Sequence, residues 1–131
     1  MRSLGIELAG SRLTYVLVVK HESGLSLIAK NRIDLGATRD RGALGAFQQT
    51  LQTIFQDLKP DVILIKNKPE KGPMMAGAAA IKMEGLVLAN APCKCIFVSG
   101  AKLNQCTAED ATLAKYYLPA FQCAVIAQNQ K

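Results

Sequence analysis

The chain has 131 residues, half of them hydrophobic, with no Trp and few aromatics, which suits a single domain, residues 1–131, on an aliphatic core. No apolar run is long enough to span a bilayer, and the opening stretch reads as a strand rather than a secretory signal, so no membrane partner and a cytoplasmic location are expected. Sixteen Lys and Arg against ten Asp and Glu leave a charge of +6, a field that favours polyanionic partners without specifying one.

Leu4, Ile6 and Leu8 alternate with Gly5 and Glu7, the pattern of a first strand. Ala9-Gly10-Ser11-Arg12 turns the chain into a second strand, Leu13 to Lys20. After Ser23-Gly24 a third strand runs from Leu25 to Ile33. Tight turns make these three an antiparallel meander. Leu44, Phe47, Leu51, Ile54, Phe55 and Leu58 then recur at helical steps, with Asp40 as a cap and Pro60 as a stop. Val62 to Ile65 is a continuous apolar run, as in a parallel strand buried on both faces.

A basic loop, Lys66 to Pro73, precedes a second helix expected over Met74 to Ala91. Its stripe of Met74, Ala78, Ile81, Gly85 and Leu88 is small enough to approach a sheet closely. Cys95 to Val98 is the fifth strand, Ser99 to Cys106 a loop, and Thr107 to Leu118 a third helix ended by Pro119. The tail, residues 120–131, has no assignable period. The order βββαβαβα is α/β, and a right-handed crossover sets strand four beside strand one. Cys93 and Cys95 fall on one strand face with Lys94 opposite, and the four cysteines and single His lack zinc-site spacing. Reduced structural thiols are expected.

Leu4-Gly5-Ile6-Glu7-Leu8-Ala9-Gly10-Ser11-Arg12 resembles the opening of RuvC-like Holliday-junction resolvases. Lys59-Pro60-Asp61-Val62-Ile63-Leu64-Ile65-Lys66 resembles their fourth strand. The helix holding Gly77 and Gly85 is similar to their next helix, and Phe97-Val98 followed by Lys102 to their fifth strand and the basic residue after it. The resemblance covers the first hundred residues or so. It points to a bacterial branch of the ribonuclease H-like superfamily, and it implies a five-stranded mixed sheet of order 3-2-1-4-5, its first three strands antiparallel, flanked by helices.

The resemblance also implies a chemistry. In the family, carboxylates on strand one, strand four and the last helix hold two Mg²⁺ for phosphodiester hydrolysis. Here Glu7 matches the first, Lys66 stands at the second, and Glu109 or Asp110 would supply the third. A like charge about 4 Å away costs about 4 kcal/mol at an effective dielectric of 20, and a divalent ion doubles that, so Lys66 opposes a metal site. No cofactor is expected, and Mg²⁺ only if the chain is an active nuclease.

Each of these residues also has a structural reading. Thr107-Ala108-Glu109-Asp110 fits a capping box. Glu7 at a strand end needs a partner, and Lys66, at the same end of the neighbouring parallel strand, is expected to pair with it. Gly10 reads as a hairpin turn before it reads as a phosphate cradle. Lys66, Lys68, Lys71 and Lys102, with Arg12, gather at the carboxyl ends of the strands, where open α/β sheets bind ligands.

Three functions follow as expectations. The first is a non-catalytic or weakened resolvase-like domain that binds nucleic acid through these basic loops. The second is a Mg²⁺-dependent nuclease using Glu7 with Glu109 or Asp110, Glu70 replacing the lost acid. The third is a structural module, for which the apolar tail, residues 121–127, makes a homodimer the candidate assembly.

Overall fold

The computed structural model describes residues 1–73 and 75–129. Strands β1 (Arg2–Ala9), β2 (Arg12–His21) and β3 (Gly24–Asp34) are followed by α1 (Arg41–Leu58), β4 (Val62–Lys66), α2 (Ala78–Asn90), β5 (Lys94–Val98), α3 (Gly100–Gln105) and α4 (Leu118–Asn129). The sheet order is β3-β2-β1-β4-β5. β2 lies antiparallel between β1 and β3, while β4 and β5 run parallel to β1. This is the expected α/β architecture, order 3-2-1-4-5.

Alternation divides the strands between two cores. Leu4, Ile6 and Leu8 of β1, with Ile63 and Ile65 of β4, pack under Phe47, Leu51 and Phe55 of α1 and Ala80, Met83 and Val87 of α2. Residues Ser3, Gly5 and Glu7 of β1 and Val62, Leu64 and Lys66 of β4 point the other way, where α4 covers the sheet. α1 starts as expected, the Ala43 N–H donating to the Asp40 carboxylate at 2.8 Å. It ends on Lys59, held at φ +48° just before Pro60. Gly10 takes φ +59° at the first central position of a two-residue hairpin, where such a turn needs a positive φ. Cys93 and Cys95 both pack against the α1/α2 core, and burial pushes the Cys93 thiol up to about 11.

Three expectations change. α2 begins at Ala78 and turns Ala80, Met83 and Val87 inward. The stripe of Ala78, Ile81, Gly85 and Leu88 is therefore not the sheet-facing one: Gly85 has open space around it and Leu88 is exposed. Apolar residues occur all round this helix, so its period does not single out a face. Met74 lies outside the described residues.

The helix expected over 107–118 is also absent. Ser99 accepts the Lys102 N–H at 3.1 Å and caps the short α3 instead. Residues 106–114 are irregular, and a 3₁₀ turn, Lys115–Tyr117, follows. Asp110 spends its carboxylate on the Thr112 N–H at 2.8 Å and on the Thr112 hydroxyl, a local bond that competes with helix formation. The Thr107–Asp110 capping box does not form.

Pro119, read as a stop, lies in the first turn of α4, where a missing N–H costs nothing. The tail is this helix, and its apolar residues are covered by the chain itself. Phe121 and Val125 join Val16 and Val18, while Cys123, Ile126 and Ala127 join Val62, Leu64, Val98 and Leu103. The apolar stretch, residues 121–127, is therefore not the uncovered patch that suggested a homodimer. Among the described residues no helix is long and apolar enough to cross a membrane.

Candidate functional site

The docking of α4 builds the site. An ideal Cβ on Gly5 would lie 1.8 Å from the Ala120 carbonyl oxygen, so the absence of a side chain lets the helix lie directly on the central strand. Ser3, buried beneath it, donates to the Ala124 carbonyl at 2.7 Å. The Gln128 amide donates to the Ser3 hydroxyl and to the Met1 carbonyl, both at 2.8 Å. These bonds fix α4 along β1 and set its first turns over the carboxyl end of the sheet.

At that end Glu7 and Lys66 meet. The parallel register runs from Ser3 opposite Val62 to Ile6 opposite Ile65, and Glu7 and Lys66 are the next step. Both point to the α4 face, and the Lys66 ammonium donates to Glu7 Oε2 at 3.2 Å. The pair is partly buried, with side-chain exposures of 16% for Glu7 and 32% for Lys66.

Cys123 comes down from α4 beside this pair. Burial raises its thiol to about 12, with Glu7 adding to the shift and Lys66 opposing it. The folded value exceeds the ordinary 9.0, so the stability carried by the neutral thiol is complete below about pH 9 and is lost as pH rises toward 12. The slope is at most about 1.4 kcal/mol per pH unit. Cys123→Ala should flatten the alkaline fall of urea stability relative to the native chain. An unchanged slope would mean that the thiol contributes none of it.

α4 carries no Asp or Glu, so the helix that covers the site brings no carboxylate. Glu109 and Asp110 lie instead in the irregular segment. The Thr112 hydroxyl and N–H hold the Asp110 carboxyl below its ordinary range, with Lys30 adding to the effect. Among the described residues no three His, Cys, Asp or Glu side chains are grouped to hold a metal. Two Mg²⁺ ions do not fit this donor set: one carboxylate is already in an ion pair, an ammonium stands at the second position, and the covering helix offers none.

Of the expected basic residues, Lys68 and Lys71 lie in the loop after β4, and Lys102 on α3 after β5. Arg12, beside the β1–β2 turn, binds Asp34 at 2.6 Å and holds that carboxyl below its ordinary range through the hydrogen bond. Arg12 thus follows the end of β1, Lys68 and Lys71 the end of β4, and Lys102 the end of β5 in the chain.

The sequence reading missed a neighbouring group. Arg32 of β3 lies with its guanidinium 3.8 Å from the ring centroid of Tyr116. Tyr116 packs on Tyr117 with centroids 4.6 Å apart, and the Lys30 ammonium lies 5.0 Å from the Tyr117 centroid. With Lys115, Arg12 and Glu7, Arg32 and Tyr116 line an open groove of about 670 Å³. Arg32 was legible only as one basic residue on a strand, and Tyr116 as part of a helix that does not form.

The chain belongs to the family described as protein of unknown function (DUF3010), whose model matches residues 1–127. No curated protein matches it in sequence. Its fold is shared with solved resolvases. The Thermus thermophilus RuvC structure is 12% identical, with a TM-score of 0.77 over 95% of this chain and 92% of that one. The T. thermophilus RuvC in complex with Holliday junction substrate gives 12% and 0.76, over 95% and 90%. The Fowlpox virus resolvase in complex with Holliday junction DNA gives 13% and 0.59, over 98% and 97%. These likenesses establish the ribonuclease H-like fold.

Proposed function

We propose that this chain is a resolvase-like domain that binds nucleic acid through its basic edge and does not cleave it. The carrying observation is the Glu7–Lys66 pair at 3.2 Å, at the strand positions where the resolvases that this sequence resembles place metal-binding carboxylates. An ammonium there supplies fixed positive charge beside the carboxylate in place of a metal, so the centre serves structure rather than hydrolysis. Two of the resolvases sharing the fold are solved with Holliday junction DNA, which makes a branched or distorted duplex the first ligand to try. Lys68, Lys71 and Lys102 would supply the phosphate contacts, with Lys66 largely committed to Glu7 and Arg12 to Asp34.

Phosphate contacts release counterions, and three of them give a slope of log K against log salt of about −3. Affinity for a four-way junction should therefore fall about tenfold for each doubling of salt. No cleavage should appear with Mg²⁺ or Mn²⁺. Binding that ignores salt, or none to any DNA form, would remove the binding half of the proposal. Cleavage that Glu7→Ala abolishes would remove the other half and restore the Mg²⁺ nuclease.

A further inference from the structure

We infer that the groove between the β1–β2 turn, the end of β3 and the 3₁₀ turn receives an unpaired nucleotide of a single-stranded nucleic acid, its base on Tyr116 and its phosphate on Arg32 and Lys115. This rests on the nucleic-acid-binding reading above and narrows the ligand within it.

The first support is an exposed tyrosine. Tyr116 is 46% exposed, in a chain with no Trp and whose other tyrosines, Tyr15 and Tyr117, are buried. Its ring packs on Tyr117, with the centroids 4.6 Å apart, and the Arg32 guanidinium lies 3.8 Å from its own centroid. An exposed cation–π contact is weaker than the stacking of a base on a tyrosine. An incoming base therefore displaces Arg32 from the ring, and the released guanidinium stays within the same groove to meet the phosphate.

The second support is charge. The Arg12 guanidinium is matched by Asp34 at 2.6 Å and Glu7 by Lys66 at 3.2 Å. Among the described residues, Arg32 and Lys115 are the groove's cations outside these two ion pairs. Pro119, in the first turn of α4, lines the same groove and adds the positive end of that helix. The faces of paired bases in a duplex are already stacked on their neighbours, so a ring in this position rewards only an unpaired base.

Anisotropy of labelled short oligodeoxyuridylate, oligouridylate and a blunt duplex, each with the full chain at one low salt concentration, tests this. Tyr116→Ala should weaken both single strands about tenfold and the duplex less than about twofold. Tyr116→Phe, which keeps the ring and controls for folding, should bind as the native chain does. The tighter of the two single strands identifies the preferred sugar. Equal losses on single strand and duplex, or no loss in Tyr116→Ala, would overturn the inference while leaving nucleic-acid binding intact. No binding of the native chain to any of these three probes would overturn the inference, and none to a four-way junction as well would overturn both.

Discussion

Gly5→Ala is expected to be the most damaging single-methyl change in the chain, costing about 3 kcal/mol or more in urea denaturation. The new Cβ would sit 1.8 Å from the Ala120 carbonyl oxygen and 2.7 Å from the Ala124 nitrogen. Both are backbone atoms, so no side-chain rotation relieves the overlap. β1 cannot retreat either, because it is hydrogen-bonded between β2 and β4. The helix must move away, and the bonds from Ser3 to Ala124 and from Gln128 to Ser3 stretch with it. Their buried polar groups then go unpaired, which adds to the packing loss. Limited proteolysis should show α4 cut first in the variant. A stability within about 1 kcal/mol of the native chain would mean that the helix is not seated on β1 as described.

Gly5 also marks where the sequence stopped being legible. The strands and α1 follow from short-range pattern: Leu4, Ile6 and Leu8 alternate, and Phe47, Leu51 and Phe55 share a stripe. α4 has no such signal, because it lies in a trough with sheet beneath and the two clusters on its flanks. Ala124, Val125, Ile126 and Ala127 are consecutive and all buried, so no helical period appears. Pro119 is compatible with the end of one helix or the start of the next, and only tertiary structure decides between them. The site divides in the same way. Glu7 and Lys66 were expected to pair because the resemblance sets them at the same end of neighbouring parallel strands, and it is the register in the structure that turns both to one face. Arg32 and Tyr116 meet because the irregular segment after α3 returns to β3, and nothing local in either stretch encodes that return.

Lys66→Met is expected to cost about 2 kcal/mol at neutral pH, and the loss should vanish when Glu7 is also removed. The single change leaves a carboxylate that is only 16% exposed without its cation, beneath an apolar helix that offers Cys123 and no other ionisable group. Water reaches the pair from the Lys66 side, which is 32% exposed, so the penalty is smaller than for a fully buried charge. Glu7→Gln with Lys66→Met replaces both charges by neutral groups of similar size and should recover most of the stability. The double-mutant cycle then reads a coupling of about 1–2 kcal/mol. A coupling near zero would mean that the two groups sit side by side without depending on each other, and the central support for a metal-free centre would be gone. Mg²⁺ gives an independent check on the same variants. A native chain stabilised by millimolar Mg²⁺, with the effect lost in Glu7→Gln, would place a metal where the ion pair is drawn. An unchanged melting temperature in Mg²⁺ for the native chain, beside a real coupling in the cycle, is the result that the 3.2 Å contact leads us to expect.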